Sequence, residues 1–177
     1  KKLQPKETLA YNQAGETFER QDKPQKAREE YRKAIDIDES DPRAWNNLAQ
    51  QAFDAGNDKK AMELLRKAVR KNTHSARAFV NLGDGFMHLG QPQNGENAYR
   101  RARELAPHRL AEALEAQGKY EEAKEVLQAA LEKGPKNSRV REALGDLLAK
   151  DGKKRQALTQ YKKALEHNAN DEELRRK

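Results

Sequence analysis

Two asparagines at matching positions carry the clearest binding chemistry in this sequence. Asn47 directly precedes Leu48, and Asn81 directly precedes Leu82, 34 residues further along the chain. A carboxamide offers one acceptor and two donors, so it can bind both the N–H and the C=O of an extended peptide backbone. Asparagine costs roughly 0.5 kcal/mol relative to alanine inside an exposed helix, so its recurrence here favours a binding role. The alternative is a polar residue that is merely tolerated on a solvated helix face.

The sequence offers no comparable set of residues for catalysis or metal binding. Its histidines are scattered along the chain: His74, His88, His108 and His167. His108 and Glu112 are spaced i, i+4 and could share a metal ion on a helix, but no third ligand accompanies them. We find no glycine-rich phosphate loop, no serine with a partner at a recognisable spacing, and no cysteine. We therefore predict a protein that is not an enzyme, with no metal and no cofactor.

The composition fits an extended helical protein better than a compact globule. Of the 177 residues, 35% are hydrophobic and 37% are charged. Such a balance suits a structure in which every helix keeps one wet face. No window approaches the roughly 18 apolar residues that a membrane span needs, so we predict no transmembrane segment. Because the chain begins at Lys1, we interpret it as a fragment from which a targeting signal could have been removed, with a cytoplasmic location favoured.

A repeat of 34 residues runs through the chain. The strings that mark it begin at Tyr31, Leu65, Tyr99 and Tyr161 and read YRKAIDID, LRKAVRKN, YRRARELA and YKKALEHN. The alanines that these strings share with LQAALEKG are Ala34, Ala68, Ala102, Ala130 and Ala164. Upstream of each string, apolar residues recur at i, i+3, i+4 and i+7, as on one face of a helix. In the second repeat they are Trp45, Leu48, Ala49 and Ala52.

This pattern resembles the tetratricopeptide repeat, in which W-x-x-L-G-x-x-Y is followed by A-x-x-x-F and P over 34 residues. The small residues that the pattern requires in the first helix are Gly15, Ala49, Gly83, Ala111 and Gly145. The resemblance covers nearly the whole chain and implies an all-α fold, with five antiparallel helix pairs stacked into a right-handed αα superhelical solenoid. The implied repeats span about residues 8–41, 42–75, 76–107, 108–137 and 138–171 of a single domain. Residues 172–177 would begin a further or capping helix.

One interval breaks the period. The third and fourth shared alanines are 28 residues apart, six fewer than the others. Either the first helix of the fourth repeat is short, or about six loop residues are missing between Pro107 and His108. A short helix would leave apolar surface of its neighbours uncovered, so we favour missing residues.

Local signals also predict helix boundaries. Asp41 and Pro42 have the residue types of an N-cap and a first helical residue. Pro107 and Pro135 are expected to end helices, at the place where the repeat pattern has its proline.

The resemblance also implies a binding surface. In tetratricopeptide arrays one side of the first helices lines a concave groove, and members that hold extended peptides use asparagine there as a ladder, the role implied for Asn47 and Asn81. Phe53 and Met87 are equivalent to each other and could form a small apolar pocket, unless both fold inward. The predicted groove residues are Asn12, Arg43, Asn47, Gln50, Phe53, Arg77, Asn81, Asp84, Met87 and His88. A family variant clamps a C-terminal carboxylate, but Glu16 would repel that group, so we do not predict binding to chaperone tails.

Basic residues precede the shared alanine in four of the five repeats. We call these pairs the basic row: Arg32, Lys33, Arg66, Lys67, Arg100, Arg101, Lys162 and Lys163. Stacked second helices would bring the pairs onto the convex side. Together with a net charge of +7, the row could meet an acidic protein, an anionic membrane or nucleic acid. Nearby acids argue for an ordinary solvated face, and no aromatic residues are interleaved to stack on bases.

We therefore predict a non-catalytic scaffold for protein–protein interactions that binds an extended segment of a partner in its concave groove. The alternative is a scaffold that self-associates, or that docks on an acidic partner, through the convex basic row. Nucleic-acid binding is a third interpretation with less support. The partner is thus expected to be a protein or peptide, and it could be a second copy of this chain.

Overall fold

The computed structural model describes residues 5–102, 105–166 and 176, and these residues contain ten α-helices and no strand. The helices are α1 (Pro5–Arg20), α2 (Pro24–Ile37), α3 (Pro42–Asp54), α4 (Asp58–Lys71), α5 (Ala76–His88), α6 (Pro92–Arg101), α7 (Pro107–Glu115), α8 (Tyr120–Lys133), α9 (Ser138–Lys150) and α10 (Lys154–Leu165). The predicted all-α fold is confirmed. No helix in the described ranges is both long and apolar enough to cross a membrane. The predicted helix at 172–177 lies outside the described residues, apart from Arg176.

The chain forms two compact units, residues 1–89 and 90–177. Unit 1 contains α1 to α5 and unit 2 contains α6 to α10. Within each unit, consecutive helices pack against one another, and first helices of neighbouring repeats also touch, as α3 touches α5 and α7 touches α9. The boundary between the units therefore falls inside the third repeat, between its two helices, rather than at a repeat boundary.

Alanines and a few large side chains fill the core of unit 1. Ala27, Ala34, Ala61 and Ala78 are fully buried. Because alanine has a small side chain, these positions let the helix backbones approach closely, and larger residues such as Trp45 fill the space between helices. Four of the shared alanines that mark the repeat in the sequence are likewise buried, namely Ala34, Ala68, Ala102 and Ala164, whereas Ala130 is half-buried.

Glycine opposite tyrosine sets the closest contact between paired helices. A Cβ atom added at Gly15 would lie 2.3 Å from Cε1 of Tyr31, and one added at Gly145 would lie 2.3 Å from Cε1 of Tyr161. Any side chain at either glycine would overlap the aromatic ring. The sequence pattern that pairs a small residue in the first helix with a bulky residue in the second therefore has a direct steric cause.

The helix starts follow the local signals in the sequence. Asp41 is the N-cap of α3, where its side chain accepts a hydrogen bond from the backbone N–H of Arg43, and Pro42 follows at the first helical position. That prediction is confirmed. The prediction that Pro107 ends a helix is wrong, because Pro107 begins α7. A proline ring fits the first turn of a helix, where no backbone N–H is needed. Pro135 lies directly after the C-cap of α8.

The shortened interval is shared by two helices. α6 has 10 residues and α7 has 9, whereas their counterparts α4 and α5 have 14 and 13. Pro107 and His108 are consecutive residues of α7, so the structure has the short first helix and not the missing loop that we favoured. The neighbouring apolar surface is nevertheless covered, because Ala106, Leu110, Ala111 and Leu114 remain buried.

Candidate functional site

The first helices of unit 1 carry the predicted ligand-binding residues. We use the term groove face for the surface of α1, α3 and α5 that includes Glu16, Glu19, Asn47 and Asn81. These residues come from three consecutive repeats, and α3 packs against α5.

Asn47 lies beside the aromatic ring that fills the contact between α1 and α2. The hydroxyl of Tyr31 is close to Glu19 and to the Asn47 carboxamide, with Glu16 also nearby. Burial first, and the Glu19 carboxylate second, raise the pKa of Tyr31 above its ordinary range. In the described part of the chain, neither the Tyr31 hydroxyl nor the buried Nδ2 of Asn47 makes a hydrogen bond of good geometry, although Glu19 and Asn47 both lie within reach of that hydroxyl. Two donors are therefore left unused at one point of the groove face.

Asn81 matches Asn47 in position but not in its surroundings. Its side chain is half-buried on α5, and no hydrogen bond to it occurs among the described residues. Asn47 is half-buried as a residue, yet its Nδ2 atom is covered. The two carboxamides thus occupy equivalent positions with unequal access to solvent.

Asn12 is not available on the groove face. Its side chain is 1% exposed, and its Nδ2 donates to the backbone carbonyl of Thr8, 2.9 Å away on the same helix. The prediction that Asn12 lines an open groove is therefore corrected. A short amide on a packed helix satisfies its donor most readily at the carbonyl four residues earlier.

Two of the predicted polar residues bind neighbouring carboxylates. Arg43 forms a bidentate pair with Asp41, with N–O distances of 2.6 to 3.1 Å, and Asp41 raises the pKa of the Arg43 guanidinium. Gln50 is exposed and donates from Nε2 to Oδ1 of Asp54 at 2.9 Å. Arg43 is therefore largely neutralised by its own helix cap.

The apolar pair is divided between packing and exposure. Phe53 is half-buried against the core of unit 1, as in the inward-folding alternative, and its ring centroid lies 4.4 Å from that of His88. His88 is exposed, whereas Met87 is half-buried on the same helix. The ring contact links the ends of α3 and α5 and leaves one side of this small cluster accessible.

Arg77 and Asp84 complete the predicted set. Arg77 is exposed near the start of α5 and lines an open depression of about 760 Å³ that Thr8 and Arg43 also line. Asp84 is half-buried. Arg77 therefore places an exposed positive charge near the start of α5.

The sequence pattern predicted no binding role for Tyr31 or Glu19, and it indicated Glu16 only as a residue that would repel a carboxylate. A signal for them was present. The residue after the small packing residue of the first helix is acidic in four repeats, with glutamine in the second: Glu16, Gln50, Asp84, Glu112 and Asp146. The pairing of Gly15 with Tyr31 could also have pointed to the tyrosine hydroxyl, since a ring packed on glycine carries its hydroxyl to that next residue.

Unit 2 has a polar cleft between its first helices. The cleft has a volume of about 670 Å³ and is lined by α7, α8 and α9. Arg109 pairs with Glu112 at 3.1 Å, and Lys150 pairs with Glu115, which raises the pKa of Lys150. The charges of this cleft therefore largely satisfy one another.

Many members of the basic row are also paired. Lys33 binds Glu30 at 2.7 Å, and Lys67 binds Glu63 at 2.7 Å. Arg100 binds both Glu96 and Glu122. Five members of the row are exposed to solvent: Arg32, Arg66, Arg101, Lys162 and Lys163. Within each unit, the row is thus less free than its charge count in the sequence indicates.

Comparisons with known proteins agree with the geometry. Models described as tetratricopeptide repeat match residues 12–76, 80–138 and 114–176. No curated protein matches at a significant level. Solved structures with the same fold include the thermophilic protein TTC0263 of Thermus thermophilus, with 20% identity, a TM-score of 0.75 and 95% coverage of both chains.

Two further structures have the same architecture. For pilF of Pseudomonas aeruginosa the identity is 23% and the TM-score 0.73, with 92% of this chain and 77% of the other covered. For YrrB, described as having an unusual peptide-binding site, the identity is 22% and the TM-score 0.59, with 96% and 91% covered. At these identities the likeness shows the fold, a helical repeat solenoid that supports protein–protein interaction. The chain belongs to the tetratricopeptide repeat family.

Proposed function

We propose that this protein is a non-catalytic binding module that holds an extended segment of a partner protein on the groove face of unit 1. The observation that carries the proposal is the repeated carboxamide at Asn47 and Asn81, of which Asn47 keeps a buried, unused donor. An unmade hydrogen bond in a buried place costs free energy, so a ligand that supplies the acceptor gains from it.

The surroundings support an extended ligand rather than a compact one. The two asparagines lie on adjacent first helices, so a single strand of peptide could meet both in sequence. The partly accessible ring pair of Phe53 and His88 offers an apolar contact for one ligand side chain. In this arrangement side-chain amides would hold the ligand backbone, and a shallow pocket would hold one apolar side chain. Other modes of peptide recognition combine the same two kinds of contact.

The alternative, docking through the basic row, has weaker support. Three of its members already bind carboxylates of the chain itself. We therefore keep the groove face as the proposed site.

The test begins with selection of 12-residue peptides from a random display library on the full chain. A selected peptide is then titrated by fluorescence anisotropy against the wild type and the Asn47→Ala plus Asn81→Ala double variant. Loss of two carboxamides should weaken binding about 5- to 100-fold, since each hydrogen bond contributes about 0.5–1.5 kcal/mol.

A matched control variant is Asn94→Ala plus Asn97→Ala, which removes two exposed asparagines from α6. This control should bind as the wild type does. Equal affinity of the wild type and the Asn47 and Asn81 double variant would contradict the proposal.

A further inference from the structure

Two equivalent tyrosines in the chain differ in one respect. Tyr161 packs on Gly145, and its hydroxyl donates to Oδ1 of Asp146, the residue after that glycine, at 2.8 Å. Tyr31 packs on Gly15 with the same geometry, but the next residue is Glu16. Unit 2 therefore closes this donor internally, and unit 1 does not.

The open donor lies among carboxylates. Tyr31 is fully buried, and its hydroxyl makes no hydrogen bond of good geometry in the described residues. Its charged neighbours are Glu16 and Glu19, of which Glu19 lies within hydrogen-bonding reach of the hydroxyl. Both glutamates are exposed, so their charges face the ligand side. Glu19 also accepts a hydrogen bond from Nε2 of Gln51 at 2.9 Å, which ties it to α3.

Two of the nearby cations already have other partners. Arg43 lies within electrostatic reach of Glu16, but it forms a bidentate pair with Asp41. Arg20 donates to the hydroxyl of Thr17 on its own helix. The carboxylates of Glu16 and Glu19 therefore form a local negative patch in a chain whose net charge is +7.

We infer that the groove face of unit 1 selects an extended segment with a lysine or arginine side chain, which Glu16 and Glu19 bind while the Tyr31 hydroxyl donates to an adjacent backbone carbonyl. The inference rests on the proposed function, because it specifies the ligand of the same face. The carboxylates need a cation, and the unused hydroxyl needs an acceptor. A basic residue in a peptide carries both within a few ångströms.

The geometry also explains how a covered hydroxyl becomes accessible. Glu19 lies beside it on an exposed side chain, so a ligand cation that draws the carboxylate outward uncovers the donor. A neutral or acidic segment provides no such attraction. Selection would therefore come from the charge, and part of the affinity from the hydroxyl.

The probes are two fluorescein-labelled dodecapeptides, in one of which alanine alternates with lysine and in the other with glutamate. Each peptide is titrated against the full chain at low and at moderate salt. The wild type should bind the lysine peptide at least about tenfold more tightly than the glutamate peptide, although its net charge favours the opposite order. Glu16→Gln plus Glu19→Gln should abolish that preference. Glu125→Gln plus Glu132→Gln, which removes two exposed carboxylates from α8, should preserve it.

A charge-preserving variant isolates the hydroxyl. Glu16→Asp places at this position the residue type that binds Tyr161 in unit 2, so the new carboxylate should pair with the Tyr31 hydroxyl. Binding of the lysine peptide should then become several-fold weaker although no charge is lost. Tyr31→Phe should weaken binding of the lysine peptide about 2- to 10-fold, which is the effect of one neutral hydrogen bond.

The outcomes separate this inference from the proposed function. If selected peptides bind and respond to the Asn47 and Asn81 double variant, but lysine is not preferred or the preference survives Glu16→Gln plus Glu19→Gln, the inference is wrong and the proposed function stands. If the α8 control loses the preference equally, the effect is one of overall charge, and the inference is again wrong. If no peptide responds to the asparagine variant, the proposed function fails as well.

Discussion

At the scale of single residues, a buried polar group is informative when its hydrogen-bonding capacity is left unused. Asn47 and Tyr31 both contribute such a group to the groove face. Buried donors in folded proteins are nearly always paired, because each unpaired one costs about 1–3 kcal/mol. Their combination at one point is therefore a stronger sign of a ligand than a polar residue on an open helix face.

The two tyrosines give the first prediction. Tyr161→Phe removes a hydrogen bond to a carboxylate and should lower the free energy of unfolding by about 1–2 kcal/mol. Tyr31→Phe removes a hydroxyl that has no partner, so it should leave stability unchanged or raise it slightly. Urea denaturation of both variants followed by circular dichroism provides the comparison. An equal loss of stability in the two variants would show that the Tyr31 hydroxyl is paired in solution.

The contact between glycine and tyrosine gives a second prediction. Gly145→Ala places a methyl group in the ring of Tyr161 and should destabilise unit 2 by about 1–3 kcal/mol. Gly134→Ala is the matched control in the same unit, because the nearest atom to its added Cβ is the backbone oxygen of Ala130 at 3.6 Å. The control should be neutral or slightly stabilising. The two variants are compared by thermal unfolding. Equal decreases in their midpoints would contradict a steric role of the glycine opposite Tyr161.

At the scale of helices, the sequence predicted the repeat well because its signals are steric. A shared alanine, a small residue opposite a bulky one, and caps such as Asp41 each fix a backbone contact that must recur in every repeat. The end of α6 and the start of α7 were predicted less well. A period shows that residues are absent from a repeat, but it cannot show how two neighbouring helices divide the loss.

The candidate site was less predictable than the fold. The positions of Asn47 and Asn81 follow from the period, but the burial of Asn12 depends on packing around one helix. Whether the tyrosine hydroxyl is paired depends on the residue that follows the packing glycine. That residue is Asp146 opposite Tyr161 and Glu16 opposite Tyr31, and the two side chains differ by one methylene group. Such differences do not alter a repeat pattern.

A buried carboxylate joins α6 to the turn between α7 and α8 in unit 2. Glu96 on α6 is 5% exposed and accepts hydrogen bonds from Arg100 at 2.8 Å and Lys119 at 2.8 Å, and Gln117 donates to it at 2.9 Å. Burial by itself would raise the pKa of Glu96, but these three donors outweigh it and lower the pKa to about 2.

The third prediction concerns the dependence of stability on pH. Because the folded-state pKa of Glu96 lies below its ordinary value of 4.5, its contribution is present above pH 4.5 and is lost as the pH falls towards about 2. Glu96→Gln should therefore lower the urea midpoint at pH 6. The difference between the urea midpoints of the variant and the wild type should become smaller as the pH falls towards 2.

The control for Glu96 is a carboxylate with the same pKa but a different environment. Hydrogen bonds from Lys67 and Lys60 lower the pKa of Glu63 to about 2, but Glu63 is exposed on α4. Glu63→Gln should change the urea midpoint much less, since water screens exposed ion pairs. Equal effects of the two substitutions would contradict the structural role given to Glu96.

At the scale of the whole molecule, the groove face of unit 1 and the second helices carry charges of opposite sign. The net charge is +7, yet the groove face of unit 1 presents Glu16 and Glu19, and the second helices present the basic row. A partner that bound by net charge alone would be acidic and would meet the second helices. A partner that bound the groove face would be chosen by local groups instead.

The side-chain amide signals of the asparagines test the central claim most directly. In a ¹⁵N–¹H correlation spectrum of the full chain, a peptide selected for binding should shift the carboxamide N–H₂ signals of Asn47 and Asn81, together with backbone signals of α1, α3 and α5. The signals of Arg66, Lys67, Lys162 and Lys163 should remain in place. Shifts confined to those basic residues, with both carboxamides unchanged, would contradict binding on the groove face.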